Sequence, residues 1–350
     1  SRRSPSPRAA NAANEPHIRL ISVSRLGTVK SRIFIRVENC WWVGRQSYEI
    51  IFIFVSDRGG NDPASPTKSY PKMNNTYCVI MAGGIGARFW PESRQSKPKQ
   101  FLDILGTGKS FIRHTYERFV GLVPPERFLV VTNARYKELV LQHIPEISEQ
   151  QVLCEPVGRN TAPCIAYAAY RLHRTDPGAR MIVTPSDHLI LNEDDFRNVI
   201  SECLAFAGEH DALMTVGIKP TRPDTGYGYI QVTDGKPISK VKCFTEKPGL
   251  ELAQTFLQCG EFFWNSGIFV WTVGAIIEAF RLHLPELHAL FEGIRSSMGT
   301  PEEPQAIGRV FSECRAVSID YGVMEKADNV YVRCGDFGWS DVGTWGSLYQ

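Results

Sequence analysis

Gly83, Gly84 and Gly86 follow directly on the apolar run Tyr77–Met81, and Arg88 and Lys99 come soon after them. An apolar run of strand length that breaks into glycines reads as a buried strand ending in a tight loop. Bare backbone N–H groups in such a loop reach an anion, and the fixed cations downstream close on the same anion. A Cβ would hold a phosphate chain off that backbone. Arg88 and Lys99 are therefore candidate clamps on a polyphosphate. A second chemical position is Asp187, in Pro185–Ser186–Asp187–His188, at the end of the apolar run Met181–Thr184. A carboxylate there is costly unless something pairs with it. Magnesium takes one or two protein carboxylates and fills its shell with phosphate oxygens and water, so Asp187 is a candidate ligand. The bland role for the same residue is a helix N-cap. His188 beside it reads as structural rather than as an acid or base.

Two familiar phosphate motifs fail. Gly108–Lys109–Ser110 looks like the end of a P-loop, but the earlier glycine position holds Asp103. Gly84–x–Gly86 would need a glycine at 89 for the dinucleotide fingerprint, and that residue is Phe89. Neither an ordinary NTPase nor a Rossmann dehydrogenase is supported.

The elements that must hold these residues alternate. Strands are expected at Tyr77–Met81, Phe128–Thr132, Val152–Cys154, Met181–Thr184 and Leu213–Gly217. Between them, Phe196, Val199, Ile200, Cys203, Leu204 and Ala207 keep to one helical face. Ile165–His173 reads as a helix opened by the capping run Asn160–Pro163. Such alternation predicts an α/β fold with a Rossmann-like mixed, mainly parallel sheet covered by helices. The glycine loop, Asn133 and Pro185–His188 all fall at carboxyl ends of strands, where open α/β sheets bind their ligands. After Pro220, strands are expected at Gly226–Ile230, Ile238–Phe244 and Phe262–Trp271, with helices at Leu250–Leu257 and Ala275–Leu284. That mixed half reads as an insertion carrying substrate-facing loops. Trp264, Trp271, Trp339 and Trp345 read as core or pocket wall.

The 350 residues leave room for about two domains at roughly 150 residues each. Residues 1–72 read as an N-terminal extension, poorly ordered or dispensable, with short strands at Arg32–Val43 and Tyr48–Val55. Residues 73–350 read as the chemical domain. A net charge of +2 gives no reason to invoke nucleic acid or an anionic membrane. Nine scattered cysteines without a C-x-x-C pair fit reduced thiols in a cytoplasmic protein rather than a zinc site. No apolar run is long enough for a membrane span.

From the glycine loop onward the motifs run in order. They begin with Gly83–Gly84–x–Gly86–x–Arg88–Phe89–Trp90–Pro91–x–Ser93 and Lys97–Pro98–Lys99–Gln100–Phe101. Glu155–Pro163, Pro185–His188, Gly226–Ile230 and Phe244–Pro248 follow. Trp264–Gly267, Ser318–Tyr321 and Trp339–Gly343 complete the set. Together they resemble the mannose-1-phosphate guanylyltransferase family of sugar-1-phosphate nucleotidylyltransferases. The resemblance implies transfer of GMP from GTP to mannose 1-phosphate, giving GDP-mannose and pyrophosphate with Mg²⁺ as cofactor. It implies nucleotide binding by Gly83, Gly84, Gly86, Arg88, Lys99, Asn160 and Ser186. It also implies that Asp341 joins Asp187 on the metal. A sugar phosphate is mostly ionised at neutral pH, its second pKa being about 6, so no catalytic base is required. Lys247 is a candidate cation for the sugar phosphate. Glu246 and Asn265 offer groups for sugar hydroxyls, and Gly228 permits close backbone approach. Alternatives are another base or sugar within the class, or an inactive sugar-nucleotide sensor. Relatives continue beyond the Asp341 motif into a short β-helical segment, some into an isomerase domain, and a homodimer is possible.

Overall fold

A computed structural model of the chain describes residues 17–26, 30–38, 48–54, 75–84, 89–90, 92–232 and 235–343. It divides into two units, Ser1–Ser69 and Tyr70–Gln350. In the first, β1 (His17–Leu26), β2 (Lys30–Glu38) and β3 (Tyr48–Phe54) form an antiparallel sheet in that order. The expected strand Arg32–Val43 is β2; the part of that expectation beyond Glu38 lies outside the described residues.

The second unit begins with β4 (Thr76–Met81), then α1 (Phe111–Val120), β5 (Phe128–Asn133), α2 (Lys137–His143) and β6 (Val152–Glu155). It continues through α3 (Thr161–Thr175), β7 (Arg180–Pro185), β8 (Leu189–Ile190), α4 (Glu193–Glu209) and β9 (Leu213–Ile218). β4 pairs in parallel with β5 and β7, and β5 with β6. These strands are apolar on both faces because helices cover both. Cys78, Ile80, Val130 and Ile182 pack in one cluster with α1 and α4, while Val79, Val131, Met181 and Val183 pack in another with α3. The expected face of α4 is the buried one, residue for residue: Phe196, Val199, Ile200, Cys203, Leu204 and Ala207.

The remaining elements are β10 (Tyr229–Gln231), β11 (Ile238–Lys240), β12 (Cys243–Thr245), α5 (Leu250–Cys259) and β13 (Phe262–Thr272). They end with α6 (Val273–His283), α7 (Pro285–Gly293), α8 (Glu303–Glu313), β14 (Val330–Gly335) and β15 (Trp339–Ser340). The main sheet runs β11-β14-β9-β13-β7-β4-β5-β6, with β10 joining β13 and β12. β13 is antiparallel to both β7 and β9, and β14 is parallel to β9. The sheet is thus mixed and mainly parallel, as its sequence pattern predicts. The carboxyl ends of β4, β5, β6, β7, β9 and β14 open on one edge, joined there by the start of β13.

Two expected strands need correction. Ile238–Phe244 is not continuous: β11 pairs with β14, whereas β12 pairs with β10, because the chain changes partner at Val241 and Lys242. Gly226–Ile230 is strand only from Tyr229, since the Asp224 carboxylate accepts from Gly226 N and holds the preceding residues in a turn.

α3 and α8 are tied by a buried carboxylate. Tyr167 Oη donates to Glu303 Oε1 at 2.8 Å, and Arg171 Nε lies 3.2 Å from Glu303 Oε2. Tyr167→Phe removes one hydrogen bond to a charged acceptor and should cost about 1.5 kcal/mol of stability. Urea unfolding checks it; an unchanged midpoint would mean that the pair contributes nothing net.

Candidate active site

Three segments far apart in sequence meet at the open edge of the sheet. The turn Lys99–Phe101 buries Lys99, whose Nζ lies 2.9 Å from Asp187 Oδ2 and donates to the carbonyl of Asp341 at 2.7 Å. β8 and β15 pair antiparallel just beyond these residues, Trp339 opposite Ile190 and Ser340 opposite Leu189, which brings the two aspartates' segments together. Asp341 Oδ1 accepts from Tyr227 Oη at 2.6 Å and from Gly343 N at 3.0 Å. Tyr227 is thereby drawn into the site, a role its glycine-flanked motif did not reveal. His188 is buried and accepts from Trp339 Nε1 on Nδ1 at 3.2 Å. Burial lowers its pKa to about 4, so its ring is neutral near pH 7.

Beside this cluster stands the glycine loop. Gln100 Nε2 donates to the carbonyls of Ala82 and Gly84, each at 2.9 Å, and so fixes the loop's course. A Cβ on Gly83 would lie 3.1 Å from Glu155 Oε2, whereas one on Gly84 would meet nothing within 4 Å. The bareness of Gly84 therefore answers to no neighbour in the described fold. Gly86 and Arg88 lie outside the described residues. Ser186 is buried, and its carbonyl accepts from Thr115 Oγ1 at 3.2 Å. Asn160, exposed, caps α3 by accepting from Thr161 N at 2.9 Å.

Glu155 opens one of the sequence motifs but received no role there. It ends β6 as Asp187 follows β7, is only 4% exposed, and its buried Oε1 has no hydrogen-bond partner among the described residues. Burial pushes its carboxyl up to about 7. The signal was available: an acid at the carboxyl end of an apolar run, the same argument that singled out Asp187.

A second cluster lies where β13 leaves β10. Its register against β9 shifts between Asn265 and Phe269, a bulge of the sort that re-aims side chains near sites. Gly228 sits against this bend: a Cβ there would come within 2.5 Å of Glu246 Oε2 and 3.4 Å of Asn265 Cβ. Lys247 Nζ pairs with Glu246 Oε1 at 2.5 Å. Asn265 Nδ2 donates to Asp320 Oδ1 at 2.8 Å. Burial first, then the nearby Glu246 charge, raises the Asp320 carboxyl to about 7. The structure therefore brings Gly228, Glu246, Lys247 and Asn265 together and adds Asp320 to them.

Among the described residues, the non-glycine residues with left-handed backbone are Asn160 (φ 69°), Lys247 (φ 47°) and Val342 (φ 45°). Such conformations are rare, most of all for a β-branched residue, and cluster where function holds them. Lys247 and Val342 fall in the motifs of the two clusters, and Asn160 in the Glu155–Pro163 motif.

Residues 77–350 match the nucleotidyl transferase family. The chain belongs to that family. Among curated relatives of this nucleotidyl transferase is the mannose-1-phosphate guanylyltransferase of Sinorhizobium fredii (strain NBRC 101917 / NGR234). It is 37% identical over 295 residues, covering 82% of this chain and 57% of the relative. The Escherichia coli (strain K12) protein of the same description is 37% identical over 288 residues, covering 78% and 59%. The chain thus spans less than two-thirds of the length of these relatives. Among solved structures, one described as mannose-1-phosphate geranyltransferase from Thermus thermophilus has a TM-score of 0.71 and 34% identity, covering 78% of each chain.

The nucleotidyl transferase's donor set suits a hard cation. Asp187 and Asp341 supply carboxylate oxygens, the ligand type magnesium prefers, and Asp341 Oδ1 is already oriented by Tyr227. Among the described residues no group of three or more His, Cys, Asp or Glu is arranged to hold a metal. Magnesium takes one or two protein carboxylates when phosphate oxygens and water fill the rest of its shell. No helix of the described residues is long and apolar enough to cross a membrane.

Proposed function

We propose that this nucleotidyl transferase joins GTP and mannose 1-phosphate, releasing pyrophosphate and forming GDP-mannose. The observation that carries the reading is the meeting of Lys99, Asp187 and Asp341 beside the glycine loop. The names of the 37% identical relatives supply the substrates. An ionised phosphate oxygen of the sugar phosphate attacks the α-phosphorus of GTP in line; the new P–O bond forms as the bond to the β-phosphate oxygen breaks. Magnesium, held by Asp187 and Asp341, would supply charge neutralisation on the phosphates. Lys99 has three N–H donors; among the described residues two are engaged, with Asp187 and the Asp341 carbonyl, and this reading gives the third to a phosphate oxygen. Gly84 lets the triphosphate approach the backbone, and Arg88, three residues beyond Ile85, adds a further cation in this reading. Lys247 meets the sugar phosphate, while Glu246 and Asn265 meet its hydroxyls.

Guanine is favoured by Glu155. A carboxylate accepts in parallel from guanine N1–H and the 2-amino group, a pattern that adenine and the pyrimidines do not present. Among the described residues its buried Oε1 takes no hydrogen bond, so that capacity is not used there.

Pyrophosphate release with GTP and mannose 1-phosphate, with and without Mg²⁺, tests the reading. Metal-dependent release of one pyrophosphate per GDP-mannose is the expected result. Faster turnover with UTP or dTTP than with GTP would sink the guanylyl assignment, and binding of GDP-mannose without any release would favour a sensor.

A further inference from the structure

Asn265 is held more tightly than a residue that merely lines a pocket. Its Oδ1 accepts from Gly267 N at 3.2 Å and from the buried hydroxyl of Thr215 at 2.8 Å. Gly267 N is a donor without ambiguity, so that atom is the amide oxygen and the nitrogen faces Asp320. The Asn265 backbone N–H is taken as well, by the carbonyl of Gly228 at 2.8 Å. With Oδ1 doubly occupied and one Nδ2 hydrogen on Asp320, a single side-chain N–H remains.

Asp320 is itself anchored. It opens a π-helical turn, Asp320–Met324, of the kind that recurs at functional sites. Ahead of that turn, Ile319 N donates to Thr161 Oγ1 at 2.8 Å, and Ala162 N donates to the carbonyl of Val317 at 3.0 Å. Behind it, Glu325 Oε1 accepts from Glu246 N at 3.0 Å. The segment 317–325 is therefore fastened to the start of α3 on one side and to Glu246 and Asn265 on the other.

We propose that Thr215 and Asp320 are positioning residues for the sugar subsite: they clamp the Asn265 amide in one orientation and leave it one N–H, so that it reads a sugar hydroxyl through that hydroxyl's oxygen. The proposal rests on the assignment of Asn265 to the sugar, and both clamping residues would act through that amide. A flipped or mobile amide would present its oxygen to the same hydroxyl and lose this discrimination.

Steady-state kinetics on three variants test it, using whichever sugar 1-phosphate the wild type turns over best. Thr215→Val, nearly isosteric, should raise KM for the sugar phosphate about tenfold while KM for GTP stays within about twofold. Asp320→Val should do the same, and Asp320→Asn, which keeps an acceptor for Nδ2–H, should recover most of that loss. Equal rises in both KM values, an unchanged sugar-phosphate KM in Thr215→Val, or an Asp320→Asn variant as poor as Asp320→Val would each overturn it. The clamp also has a readout that needs no turnover. In ¹⁵N-labelled protein the Asn265 side-chain amide should exchange its hydrogens slowly, and roughly tenfold faster or more in Thr215→Val. Fast exchange in the wild type would overturn the clamp. Absence of turnover with every sugar 1-phosphate, beside slow exchange in the wild type, would strike the proposed function and leave the clamp standing.

Discussion

Replacing Asp187 with asparagine is expected to lower kcat by about a thousandfold, with the fold intact. The charge it carries faces Lys99 Nζ at 2.9 Å and, in the proposed function, shares the metal with Asp341. Removing one preorganised donor from an oxyanion-type site costs about 10²–10³ in rate, and losing a metal-holding charge should cost at least as much. The fold should survive because asparagine keeps an oxygen for Lys99, and Lys99 keeps the Asp341 carbonyl. The Asp187 side chain is also 32% exposed, so no cavity follows. Two measurements separate the cases. Thermal unfolding should move by a few degrees at most, while turnover collapses at saturating Mg²⁺ and GTP. Turnover near the wild-type rate would remove Asp187 from the chemistry, and Lys99 would then be a structural lysine with a structural partner.

Glu155→Gln should lower kcat/KM for GTP by about a hundredfold and abolish preference for GTP over ITP, whose base lacks the 2-amino group. Hydrogen bonds to a charged acceptor contribute about 1.5–3 kcal/mol each, and glutamine both loses one and turns an amide N–H against a base donor. The pH dependence has a definite sign. With a carboxyl near 7, protonation below neutrality removes the acceptor, so wild-type KM for GTP should rise from pH 8 to pH 6. Titration of the triphosphate is common to both proteins and cancels in comparison with Glu155→Gln. Stability should move the other way. A carboxyl whose folded pKa is raised from 4.5 is favourable to folding below its unfolded pKa, and that contribution is lost as pH rises through about 7. At pH 8 the variant should therefore be the more stable protein, by about 3 kcal/mol at most, with the gap closing toward pH 5. If GTP and ITP keep their wild-type ratio in the variant, the base is read elsewhere.

The parallel half of the sheet and the buried face of α4 were legible because both follow from local rules: apolar runs before turn residues, and a 3.6-residue period. β11 and β12 were not, because an apolar run carries no mark of where its partner changes. α1 carries Arg113, His114, Glu117 and Arg118 among its apolar positions, which hid its helical face: Arg113 pairs outward with Glu117 and Glu146, whereas Arg118 lies buried on the core side, near Glu193. In the site, Lys99, Asp187 and Asp341 were legible as chemistry, but their contact is a product of the β8–β15 pairing. Asp320 stands in the Ser318–Tyr321 motif, but its contact with Asn265, like that of Thr215, was beyond reach. Thr215 and Asp320 approach Asn265 from 50 and 55 residues away, and no spacing rule spans that distance. Arg88 and Gly86 fall outside the described residues.

The left-handed backbone at Asn160, Lys247 and Val342 bears on how such a protein responds to selection for heat tolerance. Each strained residue costs about 1–3 kcal/mol, and glycine at an exposed one such as Lys247 relieves most of it. A library screened only for survival at high temperature should therefore be enriched in glycine at the exposed Asn160 and Lys247, but not at Val342, which is fully buried and would leave a cavity, and its winners should be poor catalysts. A screen that alternates heating with a turnover requirement should leave all three untouched and find its gains in surface loops instead.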